Sequence, residues 1–314
     1  MNENPIFGRK VFLINPSLFI EHMIFEQLKE LEYEVYIIAN YKIVKSVLKQ
    51  FPDSLCFIDI DTELSFSEWF NFIKSFKEDE VLKTVFVGIL SETVKPADKE
   101  KFMLHLSLPG GFISIDKKSA GLFDNFKGIL DLNGAKGRRQ YLRLTVKNEP
   151  ICGYFAAKDK LFAIDVDNIS SVGLACILKK SMEQYFVENS IISNISITIA
   201  RRSIVMNCLV LKKIPEENGN IKAVLLFTKD TPVSVKTHIR KFIFDIYDAK
   251  MEEIKKNALH DDSSYKVPDV FKDLSTVRSE SDDYLNAPVE NIESAEEAED
   301  SSGSKNFAPD IDDF

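Results

Sequence analysis

Over the first 132 residues, short unbroken apolar runs alternate with stretches whose apolar residues recur every three or four positions. The runs are Val11-Phe12-Leu13-Ile14, Val35-Tyr36-Ile37-Ile38, Leu55-Cys56-Phe57-Ile58, Val85 to Leu90 and Phe112 to Ile115. Continuous runs of this length belong to strands covered on both faces. Between them, Phe19, Met23, Phe25, Leu28 and Leu31 recur at roughly helical spacing, with further helices predicted over 43–51, 65–76 and 120–132. Asn15-Pro16-Ser17 supplies a turn and a helix start. Strands alternating with helices predict parallel pairing in a doubly wound α/β sheet.

The pattern changes at Gly134-Ala135-Lys136-Gly137. Beyond it, strand-like segments follow closely: Leu142–Val146, Ile151–Ala157, Leu161–Val166, Leu174–Leu178, Ile192–Ala200, Ile204–Lys212 and Ile221–Thr228. Short strands separated by turn signals, with no helices between them, predict an antiparallel β-barrel. One amphipathic helix is then predicted over 232–257, with Val235, Ile239, Phe242, Ile246 and Ile254 on the face that packs on the barrel. From about Leu259 the periodicity is lost among acidic and small polar residues, a composition that cannot offset the entropy of ordering. Three segments follow: 1–133 as an α/β domain, 134–258 as a barrel with its closing helix, and 259–314 as an acidic disordered tail.

Charge changes the picture in one respect. Residues 261–314 hold 16 acidic and 4 basic residues, so the overall −9 resolves into −12 there and +3 over the preceding residues. The part expected to fold is slightly basic. No apolar stretch approaches the ~18 residues of a membrane span, and the first residues lack the features of a secretion signal. The scattered cysteines Cys56, Cys152, Cys176 and Cys208 form no C-x-x-C pair and indicate neither zinc nor disulfides. A cytoplasmic protein is expected.

Candidate chemistry gathers at the change of pattern. Arg139-Gln140-Tyr141-Leu142-Arg143, preceded by Arg138, reads R-x-x-x-R, and Asn168-Ile169-Ser170-Ser171-Val172-Gly173 reads [D/N]-x-S-x-x-G. The glycines at 134 and 137 place the arginines on a loop entering a strand. Residues four apart in an extended chain lie ~13 Å apart on one side, a spacing suited to a ligand larger than a single phosphate. Guanidinium makes paired charge-assisted bonds to phosphate, pairs with O6 and N7 of guanine, and stacks on bases. Asn offers donors and an acceptor, Ser a hydroxyl, and Gly either close approach or positive φ.

Together these motifs resemble the PilZ domain, over about residues 134–257. The resemblance implies a β-barrel binding cyclic di-GMP, with Arg139 and Arg143 on phosphates and guanine edges and Asn168, Ser170 and Gly173 cupping another part of the ligand. Arg138 extends the basic cluster. Asp167 lies beside Asn168, and either could face the ligand. The late strand departs from the family's G-[IV]-x-F, reading Val224-Leu225-Leu226-Phe227.

The first segment resembles a response-regulator receiver domain. Asp59, with Asp61 nearby, matches the phospho-acceptor position, Ser91 the hydroxyl position and Lys117, loosely, the lysine. Asn15-Pro16 stands where receivers carry the acidic pair that helps hold magnesium. With few charged oxygens for a divalent cation, Asp59 is a vestigial phospho-acceptor, and a pseudo-receiver serving protein contact is expected. The dispersed histidines His22, His105, His238 and His260 have no partner at ligand or triad spacing, so neither a metal nor an enzyme is indicated. The expectation is a cytoplasmic, non-enzymatic cyclic di-GMP effector with no other cofactor. It would have an unidentified protein partner, reached through the receiver-like domain or the acidic tail, and no nucleic-acid partner. The rivals are a phosphorylation-driven response regulator and a PilZ-like adaptor that binds no nucleotide.

Overall fold

Strands β1 (Val11–Ile14), β2 (Val35–Ile38), β3 (Leu55–Asp59), β4 (Phe86–Ser91) and β5 (Phe112–Ser114) pair in the order β2-β1-β3-β4-β5, all parallel. The structure is a computed structural model that describes residues 8–260 apart from 107, 120, 148, 150 and 159. The expected acidic tail lies, from residue 261 onward, outside the described residues. Helix α1 (Leu18–Ile20), a π-helical turn (Glu21–Phe25) and α2 (Glu26–Glu30) run on as one helix. Helices α3 (Val44–Leu48), α4 (Phe66–Glu78), α5 (Pro96–His105) and α6 (Leu122–Leu132) complete the lobe. The first four apolar runs are largely buried because helices cover both faces of the sheet, while Phe112 and Ile113 of the edge strand β5 are half-buried. Val11, Leu13, Leu28, Val35, Phe57, Leu90 and Phe126 share one core. Ser65 and Glu68 form a reciprocal capping box that starts α4. Helix α5 had no clear period in the sequence, and of its residues Phe102 is the one that becomes buried.

The remaining strands are β6 (Leu144–Thr145), β7 (Ile151–Ala157), β8 (Lys160–Ser170), β9 (Gly173–Leu178), β10 (Ile191–Ile199), β11 (Arg202–Pro215) and β12 (Ile221–Phe227). Their antiparallel order β8-β7-β10-β11-β12-β9 closes when β9 pairs back onto β8. Strand β6 flanks the second half of β8, where β7 has left off. Phe155, Ile164, Val166, Ile169, Cys176, Ile197, Cys208 and Leu225 fill the interior.

The long helix α7 (Val233–His260) lays Ile239, Phe242 and Ile243 on the barrel core, with Val235 and Ile246 packed at its margin. Of the predicted face, Ile254 is only half-buried. Its other side, not anticipated, meets the α/β lobe. Phe244 is buried there under Lys29, whose Nζ lies 5.0 Å from the ring centroid and 2.5 Å from the Asp248 carboxylate.

Two strands differ from their sequence reading in ways that matter for the site. The strand expected over 142–146 pairs only at Leu144 and Thr145, which leaves Arg143 on the loop. The strand expected over 161–166 continues to Ser170. Its apolar alternation fails after Val166 because one extra residue is inserted there: Val166 faces Cys176, but Asn168 already faces Ala175.

Candidate functional site

That inserted residue decides which side chains leave the barrel. Ile164 and Val166 point into the core, and unbroken alternation would send Asn168 after them. The bulge at Asp167 reverses the phase, so Ile169 takes the core position and Asn168 and Ser170 fall on the other side of the strand, Asn168 half-buried and Ser170 buried within the turn. On β9, Ala175 stands opposite Asn168 and Gly173 opposite Ser170, and these small residues leave a cleft. Arg143, Asn168, Ser170, Gly173, Leu174, Ala175 and Val224 line it. Strand β6 brings the arginine there. Leu144 pairs with Ile169 and Thr145 with Asn168, so the antiparallel register sets Arg143 alongside Ser170. From α7, the Tyr247 hydroxyl donates to the Arg143 carbonyl oxygen at 2.5 Å. Burial pushes that phenol up to about 12, so it remains a donor at neutral pH.

The other predicted residues are placed as follows. Ser170, 2% exposed, donates to the Gly173 carbonyl oxygen at 3.1 Å and accepts from the Val172 N–H at 3.4 Å, closing the tight turn between β8 and β9. Gly173 is required for close approach and not for positive φ. A Cβ there would stand 2.4 Å from the Leu225 carbonyl oxygen of β12. Asp167 is ion-paired with Lys222 at 2.6 Å and accepts from the Asn168 side-chain amide at 2.7 Å. Of this neighbouring pair, Asn168 lines the cleft with Arg143. Arg139 lines an adjoining cleft with Glu32, Glu34, Lys136, Tyr141, Leu142 and Tyr247, and Arg143 is common to both. Arg138 is exposed on the same loop. The motifs are thus brought together through Arg143, with Arg139 turned toward the α/β lobe.

Sequence reasoning did not single out Glu32, Lys136, Tyr247 or Lys222. Lys222 and Tyr247 sit within a predicted strand and helix, where nothing in their spacing distinguished them. Glu32 follows the end of α2 in a run of charged residues that reads as solvated surface.

At the far end of the parallel sheet, Asp59 is 2% exposed and accepts from the Ser17 N–H at 3.0 Å and the Asp61 N–H at 3.2 Å. Burial pushes its carboxyl above the usual range. Ser91 donates to Asp61 at 2.6 Å, and Lys117 is ion-paired with Glu92 at 2.5 Å. Burial raises Asp61 too. Donors from Glu92, Ser91 and Thr93 outweigh that and hold it below the usual carboxylate range. Among the described residues no group of His, Cys, Asp or Glu is placed to hold a metal ion, and no helix is long and apolar enough to cross a membrane.

No protein-family model matches the chain, and no curated protein matches it by sequence. Among solved structures, MrkH of K. pneumonia in complex with c-di-GMP is similar at 19% identity, over 36% of this chain and 55% of that one, with a TM-score of 0.33. The c-di-GMP-bound PilZ domain of YcgR from Escherichia coli is similar at 15% identity, over 38% of this chain and 98% of that one, TM-score 0.31. The chemotaxis response regulator CheY4 of Vibrio cholerae is similar at 18% identity, over 39% and 99%, TM-score 0.32. The chain spans about half the length of the MrkH structures it matches. By its own strand order and barrel closure, the architecture is a receiver-like lobe followed by a PilZ-like barrel. The receiver-like lobe supplies Glu32 and Glu34 to the cleft that Arg139 lines, and the PilZ-like barrel supplies the cleft of Asn168 and Ser170.

Proposed function

We propose that this chain is a receptor for cyclic di-GMP that works by binding and not by catalysis, with the ligand held on the outer face of the barrel. The observation that carries the reading is the shared cleft of Arg143, Asn168, Ser170 and Gly173, adjoined through Arg143 to the cleft of Arg139. These are the residues of the two motifs by which the sequence resembles PilZ proteins. Guanidinium groups suit the two phosphates and the guanine edges, and Asn168 suits a guanine edge. Charge-assisted bonds worth ~1.5–3 kcal/mol each make four or five of them sufficient for useful affinity after ordering costs.

In this reading residues 1–133 and 134–258 act as two domains, and ligand binding at the loop between them sets their arrangement and exposes a surface to a protein partner. A ligand does this only as far as it binds one arrangement better than the other. The receiver-like domain serves contact. Ser91 and Lys117, which would attend a phosphoryl group on Asp59, are engaged with Asp61 and Glu92.

Calorimetric titration with cyclic di-GMP tests the proposal. The wild type is expected to bind, and Arg143→Ala and Arg139→Ala each to weaken binding by about 10- to 100-fold, the loss of one charge-assisted contact. Wild-type protein that does not bind removes the proposal. Binding that neither substitution affects removes these residues from the site. Acetyl-phosphate labelling of Asp59 would instead support the phosphorylation-driven reading.

A further inference from the structure

Both ligand motifs are hydrogen-bonded to one carboxylate that belongs to neither. Glu32, from the receiver-like lobe, accepts from the Leu142 N–H at 3.0 Å through Oε2 and from the Ser171 hydroxyl at 2.5 Å through Oε1. Leu142 lies between Arg139 and Arg143, and Ser171 lies between Ser170 and Gly173. The same Glu32 lines the cleft that Arg139 and Arg143 line, and it is 7% exposed.

Its backbone adds a second observation. Glu32 has φ of 61°, the left-handed conformation in which a helix commonly ends, and a position glycine usually fills. A non-glycine residue there carries backbone strain, and burial of a carboxylate adds a further cost. Neither cost is needed to end a helix. The neighbouring carbonyls reinforce the contact: Arg240 of α7 donates to the Glu30 carbonyl oxygen at 2.9 Å, and Lys136 donates to that of Leu31. Three consecutive residues at the end of α2 therefore receive donors from α7, the arginine loop and the β8–β9 turn.

We propose that Glu32 is an affinity-setting residue of the ligand site: an internal anion that competes with a phosphate-bearing ligand for the two motifs. Ligand capture and the grip of the receiver-like lobe on the barrel then oppose one another. The inference rests on the reading above that an anionic dinucleotide binds between the motifs. The sign follows from charge. A carboxylate facing the cleft of the arginines repels incoming phosphate, and it holds Leu142 and Ser171 where the loop meets the lobe. Burial pushes the Glu32 carboxyl above its ordinary range, against the hydrogen bonds from Ser171 and Leu142.

The test is a cyclic di-GMP titration of the full chain as wild type, Glu32→Gln and Glu32→Gly. Gln keeps the shape and removes the charge. Gly removes the side chain and relieves the left-handed backbone, so it preserves the fold if Gln does not. Both are expected to bind about tenfold more tightly than wild type, the order expected for one like charge at the edge of a protein cleft. A residue with a purely structural role would weaken binding when replaced. Wild-type binding that both variants leave unchanged or weakened overturns the role of Glu32 while leaving the ligand assignment intact. No binding by any of the three proteins removes the ligand assignment, and this proposal with it.

Discussion

A Cβ at Gly173 would collide with a backbone oxygen of β12, and a backbone does not yield as a side-chain tip does. Gly173→Ala is therefore expected to destabilise the barrel by about 1–3 kcal/mol, measured as a lower midpoint in urea. The glycine that the sequence singled out for a ligand has its own reason to be there, the closure of β9 against β12. Tyr247 gives a milder case. Tyr247→Phe deletes the donor that holds the Arg143 carbonyl, and cyclic di-GMP binding is expected to weaken by about 2- to 10-fold, one neutral hydrogen bond's worth. Asp59 gives a pH dependence. Its raised folded value means that the native state holds the proton more tightly than the unfolded chain. Stability then falls as pH rises from the ordinary carboxylate range through that raised value. Asp59→Asn removes the titrating group, so its melting temperature relative to wild type is expected to rise as pH goes from about 4, near the ordinary aspartate value, to neutral. An unchanged difference across that range would contradict the assignment.

At the scale of elements, what was legible followed from burial. The first four strands of the α/β sheet announced themselves because helices cover them on both faces, whereas the edge strand β5 is only half-buried, and the loop position of the arginines followed from Gly134 and Gly137. Helix α5 escaped because it buries little beyond Phe102. The second half of β8 escaped because the bulge at Asp167 breaks the alternation that marks a strand. The same bulge turns Asn168 out of the core, so the irregularity that hid the strand also shapes the cleft. Glu32 was illegible for another reason. Its burial depends on the packing of one lobe on the other, and no local pattern encodes that. Helix α7 carries both halves of this packing, with Ile239 and Ile243 on the barrel and Phe244 toward the lobe. Ile243→Ala is expected to cost about 2–5 kcal/mol in chemical denaturation, because its side chain lies in the barrel core. Phe244→Ala is expected to increase hydrogen exchange in α2 and α7.

For the whole molecule, the two folds were readable from the change of grammar at residue 134, and the proposed ligand class rests on two short motifs. Their connection was not readable, and it is where the structure contributes most. Arg143 is shared by two clefts, one on the barrel and one facing the receiver-like lobe. A ligand bound at this loop would act on both lobes. Cyclic di-GMP is proposed to sit against the arginine loop and the end of β8. Hydrogen–deuterium exchange of the wild-type chain with and without cyclic di-GMP tests it most directly. The expected result is ligand-dependent protection concentrated in residues 137–143 and 168–174. No ligand-dependent change there, or protection confined to the groove beside Lys180 and Lys213 on the barrel, would contradict it.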